Sequence, residues 1–141
     1  MLAGIAPNHS TAELIDASGV LALHLLRLDQ IDLAWNFARD SSRERDKLAG
    51  LDVSSEATGA PILTDCLAWL DCRVIGRYDA GDRLFFWADV VANREVSDGT
   101  PLTDQALFAA LAPVQRQYLL AAREADVIAQ RPLHAAWRVK Q

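Results

Sequence analysis

Small and apolar residues alternate with larger or charged ones in the middle of the chain. Between residues 66 and 74 every even position is apolar, whereas Trp69, Asp71 and Arg73 stand at odd positions. A period of two places these two sets on opposite faces of an extended segment. The pattern therefore predicts a β-strand with one buried face.

A second predicted strand follows after a turn. Residues 79–82 read Asp-Ala-Gly-Asp, a composition typical of turns. Residues 84–91 are rich in aromatic and β-branched side chains and are apolar on both faces, so the two segments together predict an antiparallel hairpin. A strand that is apolar on both faces must be covered on both. We therefore expect a barrel interior on one side and a helix or a second subunit on the other.

Helix and strand signals also precede the hairpin. Residues 1–6 form a short apolar stretch that predicts a strand. Ser10 and Glu13 have capping-box spacing, which predicts a helix with Ser10 as its N-cap and Gly19 at its end. Residues 20–26 are a mostly apolar run whose length favours a buried strand over a helix.

The remaining segments complete an α+β pattern. In chain order they predict an amphipathic helix at 29–39, an exposed helix or turn at 41–47, loops at 51–60 and 93–101, a helix from Thr103 to Leu111, a helix from Pro113 to about residue 129, and a closing strand or extended segment at 131–139. Strands mixed with peripheral helices indicate an α+β fold built around an antiparallel barrel.

The composition is that of a folded protein. A length of 141 residues, 51% of them hydrophobic and 23% charged, suits a single domain spanning residues 1–141. The formal net charge of −5 gives no electrostatic reason to expect nucleic acid or an anionic membrane as a partner. No apolar run approaches the roughly 20 residues that span a bilayer, and residues 1–7 lack a signal-peptide pattern, so we expect a cytoplasmic protein.

The two cysteines, Cys66 and Cys72, favour a structural interpretation. In one straight strand they would lie about 20 Å apart at roughly 3.3 Å per residue. That separation is too long for a disulfide. No Cys or His spacing suggests zinc, so no metal ligands are predicted. Buried, reduced thiols are therefore expected.

Several short segments stand in an order and spacing that resemble one known family. They are STAELI at 10–15, SGVLALHLL at 18–26, DKL at 46–48, GAPIL at 59–63, AWLDCRV at 68–74, GDR at 81–83 and RPLH at 131–134. Taken together they resemble the flavin reductase-like family of FMN-binding split β-barrel proteins. The resemblance covers residues 1–92 and, more weakly, residues 131–139.

This resemblance implies an antiparallel FMN-binding split β-barrel with peripheral helices. It implies FMN as the cofactor, with FAD as the alternative, and NAD(P)H as a co-substrate that stacks on the flavin in a groove of a homodimer. The cofactor would transfer the hydride, so no catalytic side chain is predicted. The family pattern usually begins upstream of Met1 with further strands and a Ser/Thr-rich loop. The chain therefore resembles either a shortened relative or a truncated one that lacks the usual N-terminal strands.

Two alternatives to a reductase stay open. One is a degenerate module that binds flavin without oxidising NAD(P)H. The other is a structural dimerisation domain that ignores flavin. Nucleophilic catalysis has little support, because the sequence has neither a GxSxG elbow nor a Cys/His pair at a recognised local spacing. No Gly-rich phosphate loop of the Rossmann or P-loop type is present either.

The candidate phosphate-binding residues lie just before the first predicted helix and in its first positions. Asn8, His9, Ser10 and Thr11 stand at its start, where backbone amides and the helix dipole favour an anion. The alternative is that Ser10 only caps the helix.

Four further residues are candidate flavin contacts, each with a structural alternative. His24 would approach the flavin groove or lie in the core with its ring hydrogen-bonded. Lys47 would bind phosphate or lie on a solvated face. Arg83 stands where the family commonly has His, and His134 would approach the flavin or play a structural role. Trp69 and Trp87 would wall a flavin or pack in the core or an interface.

Overall fold

A computed structural model describes residues 1–41 and 43–140. Within them the chain forms six strands and four helices. In chain order these are β1 (Leu2–Ile5), α1 (Ser10–Ser18), β2 (Val20–Leu25), α2 (Ile31–Ala38), β3 (Val53–Ser55), β4 (Pro61–Leu63), β5 (Ala68–Asp79), β6 (Leu84–Glu95), α3 (Asp104–Ala110) and α4 (Pro113–Val139). That residues 1–141 form one domain stays a prediction.

The predicted hairpin is the centre of the main sheet. Four antiparallel strands stand in the order β1-β6-β5-β2, and the sheet curls into half of a barrel. Strands β3 and β4 form a separate antiparallel pair. The α+β architecture built on an antiparallel half-barrel is confirmed.

Helix α1 closes one face of the main sheet. Its buried Ala12 and Ile15 pack with Leu84 and Phe86 of β6. A second buried cluster joins the small sheet to β5 through Ile62, Cys66 and Trp69. Apolar burial of this kind is the main force that holds the elements together.

The predicted alternation along residues 66–74 is wrong in detail. Trp69 and Asp71 are buried, as are Cys66 and Cys72, although the period of two places these pairs on opposite faces. A register shift between Asp71 and Cys72 re-aims Cys72, and Cys66 precedes the first residue of β5, Ala68. A β-bulge inserts an extra residue, re-aims the following side chains and bends the sheet.

Both cysteines are free and buried, as expected. Burial raises the pKa of the Cys66 thiol and also that of the Cys72 thiol. Both thiols therefore stay protonated at neutral pH and are poor nucleophiles.

Four other local predictions need correction. The predicted loop at 93–101 starts too early, because β6 continues to Glu95. The N-cap of α1 is His9, and Ser10 is the first helical residue. Residues 51–60 contain β3 and are not wholly loop. Residues 131–139 continue α4, because the segment from 113 onward is rich in Ala, Leu, Gln and Arg, whose helix propensity outweighs the single interior Pro132. Within the described residues, no helix is both long and apolar enough to cross a membrane.

The turn between β5 and β6 is the place where α4 meets the hairpin. Gly81 has a left-handed φ of 85°, and its N–H donates to Asp79 Oδ1 at 2.8 Å. A Cβ at Gly81 would stand 2.6 Å from Trp137 Cβ and 3.1 Å from His134 Cα. Glycine is therefore required here both for the backbone conformation and for the close approach of α4.

Candidate functional site

A cleft of about 350 Å³ opens where β1 runs into α1. Helix α4 forms its opposite wall. Its lining combines apolar backbone positions of the first strand with charged and amide side chains: Gly4, Ile5, Ala6, His9, Arg83, Arg123, Asp126, Val127 and Gln130. Two of the predicted flavin contacts, His9 and Arg83, are among these residues.

The carboxylate of Asp126 contacts both residues that precede α1. Asn8 Nδ2 donates to Asp126 Oδ1 at 2.8 Å, and His9 Nε2 lies 2.9 Å from Asp126 Oδ2. His9 donates there when its Nε2 carries a proton. Donors of residues 8 and 9 therefore converge on one anionic group.

A second set of contacts connects Arg83 to Asn8 through Gln130. Arg83 Nη1 donates to Gln130 Oε1 at 2.6 Å, and Gln130 Nε2 donates in turn to Asn8 Oδ1 at 3.3 Å. Gln130 is buried although it is polar, and these two bonds satisfy its amide. The structure thus brings Asn8, His9 and Arg83 into one network.

The electrostatics of the cleft favour a negative charge. Burial alone would raise the pKa of the Asp126 carboxyl. Hydrogen bonds from Asn8 and His9 outweigh that effect, with help from the charges of His9 and Arg83, so the pKa is lowered below its usual range. Asp126 is therefore ionised at neutral pH. Two arginines, Arg83 and Arg123, line the same cleft.

Two other predicted residues lie on the first turn of α1 beside this cleft. Ser10 is the first residue of the helix and Thr11 the second, and Thr11 is exposed. The backbone N–H of Ala12 bonds to His9 O at 3.0 Å, so the helix starts with a tight turn at His9.

His24 and Lys47 lie in other parts of the fold. His24 Nε2 accepts a hydrogen bond from the Leu63 backbone N–H at 3.0 Å, which joins β2 to β4. Lys47 Nζ donates to Phe37 O at 2.7 Å near the end of α2. Burial lowers the pKa of Lys47, and the nearby charge of Arg45 lowers it further. Both side chains thus make contacts within the fold, and their roles as flavin contacts stay predictions.

His134 and the two tryptophans are also separate from the network. His134 stacks on Trp137 of the same helix, with ring centroids 6.1 Å apart, next to the β5–β6 turn. Trp69 is buried in the core, whereas Trp87 is 45% exposed on β6.

Sequence reasoning missed the residues that α4 contributes. Asp126 and Gln130 lie 118 and 122 positions from Asn8, and no local pattern connects them. It also missed Arg27, which donates to Asp65 Oδ1 at 2.7 Å beside a second cleft of about 430 Å³.

The donors of the α1 cleft suit the phosphate of a flavin nucleotide. Phosphate needs N–H donors and cationic side chains, and Asn8, His9, Arg83 and Arg123 supply them. The bound carboxylate of Asp126 demonstrates that two of these donors already serve an anion. Apart from the carboxylate of Asp126, the charged and amide side chains present therefore suit the phosphate end of the cofactor.

The curled sheet with its long central hairpin defines an antiparallel half-barrel protein. Residues 1–109 match the family model described as the Flavin reductase like domain. The match covers well over half of the chain, so the chain belongs to the flavin reductase-like family, as its sequence motifs indicate. Helix α4 lies outside the matched residues.

Similar proteins agree with this assignment. The actinorhodin polyketide dimerase of Streptomyces coelicolor is 34% identical over 97 residues, which are 69% of this chain and 53% of that protein. The FMN reductase (NADH) RutF 2 of Rhizobium rhizogenes is 36% identical over 88 residues, 62% of this chain and 50% of that protein.

A solved structure supports the fold. The nitrilotriacetate monooxygenase component B homologue from Mycobacterium thermoresistibile aligns with a TM-score of 0.64 and 30% identity, over 72% of this chain and 56% of that one. The chain spans about half the length of the curated relatives it matches.

Proposed function

We propose that this chain is an FMN-dependent flavin reductase that uses NAD(P)H and works as a homodimer. Membership of the flavin reductase-like family and the name of the RutF 2 relative support the reaction class. FAD is the alternative flavin. The observation that carries the proposal is the convergence of Asn8, His9 and Arg83 at one cleft lined by two arginines.

The side chains of the cleft would bind and orient the cofactor. Arg83 and Arg123 would neutralise the phosphate, and Asn8 and His9 would donate hydrogen bonds to it. When bound, the flavin would supply the hydride chemistry, while these side chains would hold and orient it. No side chain of the chain need act as an acid or a base, because its task is position and electrostatics.

The homodimer is supported by an exposed apolar patch on the face of the sheet away from α1. We call it the outer patch: the exposed Leu2, Tyr78 and Trp87 with the half-buried Phe85. Leu2 pairs directly with Trp87, and Tyr78 pairs with Phe85, so the four side chains share one face. Leu2, Tyr78 and Trp87 are 55%, 47% and 45% exposed. Large contiguous apolar patches typically mark an interface.

Flavin binding is tested first by titrating the protein into FMN and following flavin fluorescence. Arg83→Gln should weaken FMN binding about tenfold or more, because a charged hydrogen bond to phosphate is lost. Arg94→Gln is the matched control, since Arg94 is an exposed arginine on β6, the strand that directly follows Arg83. Failure of the wild-type protein to bind FMN at micromolar concentration would disprove the proposal.

A second candidate function is flavin binding without reduction, favoured by Arg83 standing where the family commonly has His. Steady-state oxidation of NADH and NADPH with excess FMN separates the two. Turnover supports the reductase. Flavin binding with no oxidation of either nucleotide supports the non-enzymatic module instead.

A further inference from the structure

Asp126 holds the donors that a flavin phosphate would need. Its two oxygens lie 2.8 Å from Asn8 Nδ2 and 2.9 Å from His9 Nε2. The carboxylate is ionised, as its lowered pKa indicates. A phosphate that uses these donors would have to share them with a fixed negative charge.

The position of Asp126 is fixed by contacts made further along α4. One turn further on, Gln130 is bonded to both Asn8 and Arg83. Near the end of the helix, Trp137 and His134 pack closely against Gly81 of the hairpin turn. Asp126 therefore cannot leave the cleft by a side-chain rotation without breaking two hydrogen bonds.

Like charges at close range repel, and a partly buried site screens them less than water does. FMN carries a phosphate and riboflavin does not, although their rings are identical. A carboxylate at the phosphate position therefore penalises FMN and leaves riboflavin unaffected. Arg83 and Arg123 still attract the phosphate, so Asp126 reduces the preference for FMN without abolishing it.

We propose that Asp126 is a specificity-determining residue that lowers the affinity of this chain for phosphate-bearing flavins relative to riboflavin. The inference rests on the proposed flavin function. It goes beyond that function by assigning a role to α4, which lies outside the residues that match the family model.

The test compares FMN and riboflavin in fluorescence titrations of three proteins. They are the wild type, Asp126→Asn, and Glu124→Gln, which removes one exposed negative charge from the same helix two residues away. The asparagine keeps an oxygen that accepts from Asn8, so the helix contact is retained. Asp126→Asn should tighten FMN binding about tenfold, because the repulsion is removed. Riboflavin affinity should change by less than about twofold, and Glu124→Gln should resemble the wild type.

A second measurement does not depend on the flavin ring. Inorganic phosphate should raise the melting temperature of Asp126→Asn more than that of the wild type, because the repulsion between phosphate and the carboxylate is then removed. An FMN-to-riboflavin affinity ratio that is unchanged in Asp126→Asn, or changed equally in Glu124→Gln, would overturn the assignment of Asp126 while leaving the flavin function intact. If neither flavin binds any of the three proteins, both this inference and the proposed function are wrong.

Discussion

His24 Nε2 accepts a hydrogen bond from the backbone N–H of Leu63 at 3.0 Å and so ties β2 to β4. This bond needs an unprotonated Nε2, which fixes the neutral form of the ring. Burial lowers the pKa of His24 from its ordinary value of 6.5. The hydrogen bond that His24 makes between the main sheet and the small sheet therefore depends on pH.

The stability of the fold should fall as the pH drops through the range set by His24. In the unfolded chain His24 binds a proton near its ordinary pKa of 6.5, and in the folded chain it does so only at lower pH. Its stabilising contribution is thus complete above pH 6.5 and is lost as the pH falls towards the lowered pKa. Urea unfolding at about pH 8 and about pH 5 measures the difference in the free energy of unfolding. His24→Gln should show a smaller difference, and an equal one would refute this role.

The close contact between Gly81 and α4 gives a prediction with an internal control. Gly81 and Gly59 have nearly the same left-handed φ, 85° and 82°, but a Cβ at Gly59 meets nothing within 4 Å. Each Gly→Ala change should cost about 1 kcal/mol for the backbone. Gly81→Ala should lose roughly a further 1–3 kcal/mol, because the Cβ pushes on Trp137. Thermal unfolding of both variants measures the difference between their losses of stability. Equal losses of stability would show that α4 does not pack tightly on the turn.

The hairpin and the first helix could be predicted because their signals are local. Gly19 ends α1 in the left-handed conformation, Gly81 makes the turn, and Thr103 Oγ1 accepts from the Ala106 N–H at the start of α3. Each of these residues acts within a few positions of itself. Turns and helix caps depend on residues that are close together in the sequence, so a local pattern predicts them.

The errors arose where tertiary structure overrides local pattern. The bulge beside Asp71 changes which side chains are buried, and no residue type announces it. Pro132 and the motif around it suggested an extended end, yet a long helix with suitable composition accommodates one proline. The candidate site was half predictable: Asn8, His9 and Arg83 were named from motifs, whereas Asp126 is brought to them only by the fold.

Asp71 should be the polar residue on which the loop between the two short strands most depends. Its side chain is fully buried, at 0% exposure, and accepts hydrogen bonds from both the N–H and the hydroxyl of Thr58. Asp71→Ala leaves these donors unsatisfied and should cost about 1–3 kcal/mol or more. Asp71→Asn keeps an acceptor and should cost less. The control Asp89→Ala, at an exposed carboxylate on the neighbouring strand, should stay within about 0.5 kcal/mol. Chemical denaturation compares the three, and similar losses for Asp71→Ala and Asp89→Ala would contradict the assignment.

The outer patch predicts how the oligomeric state responds to a single charge. If a second copy covers the patch, Trp87→Lys places an ammonium group in an apolar interface and should convert the dimer to a monomer at micromolar concentration. Leu14→Lys is the matched control, because Leu14 is 61% exposed on α1, away from the patch, and its replacement should leave the dimer intact. Sedimentation velocity distinguishes the two species directly. A wild-type monomer at micromolar concentration, or a Trp87→Lys variant that remains dimeric, would show that the sheet face is not the subunit interface.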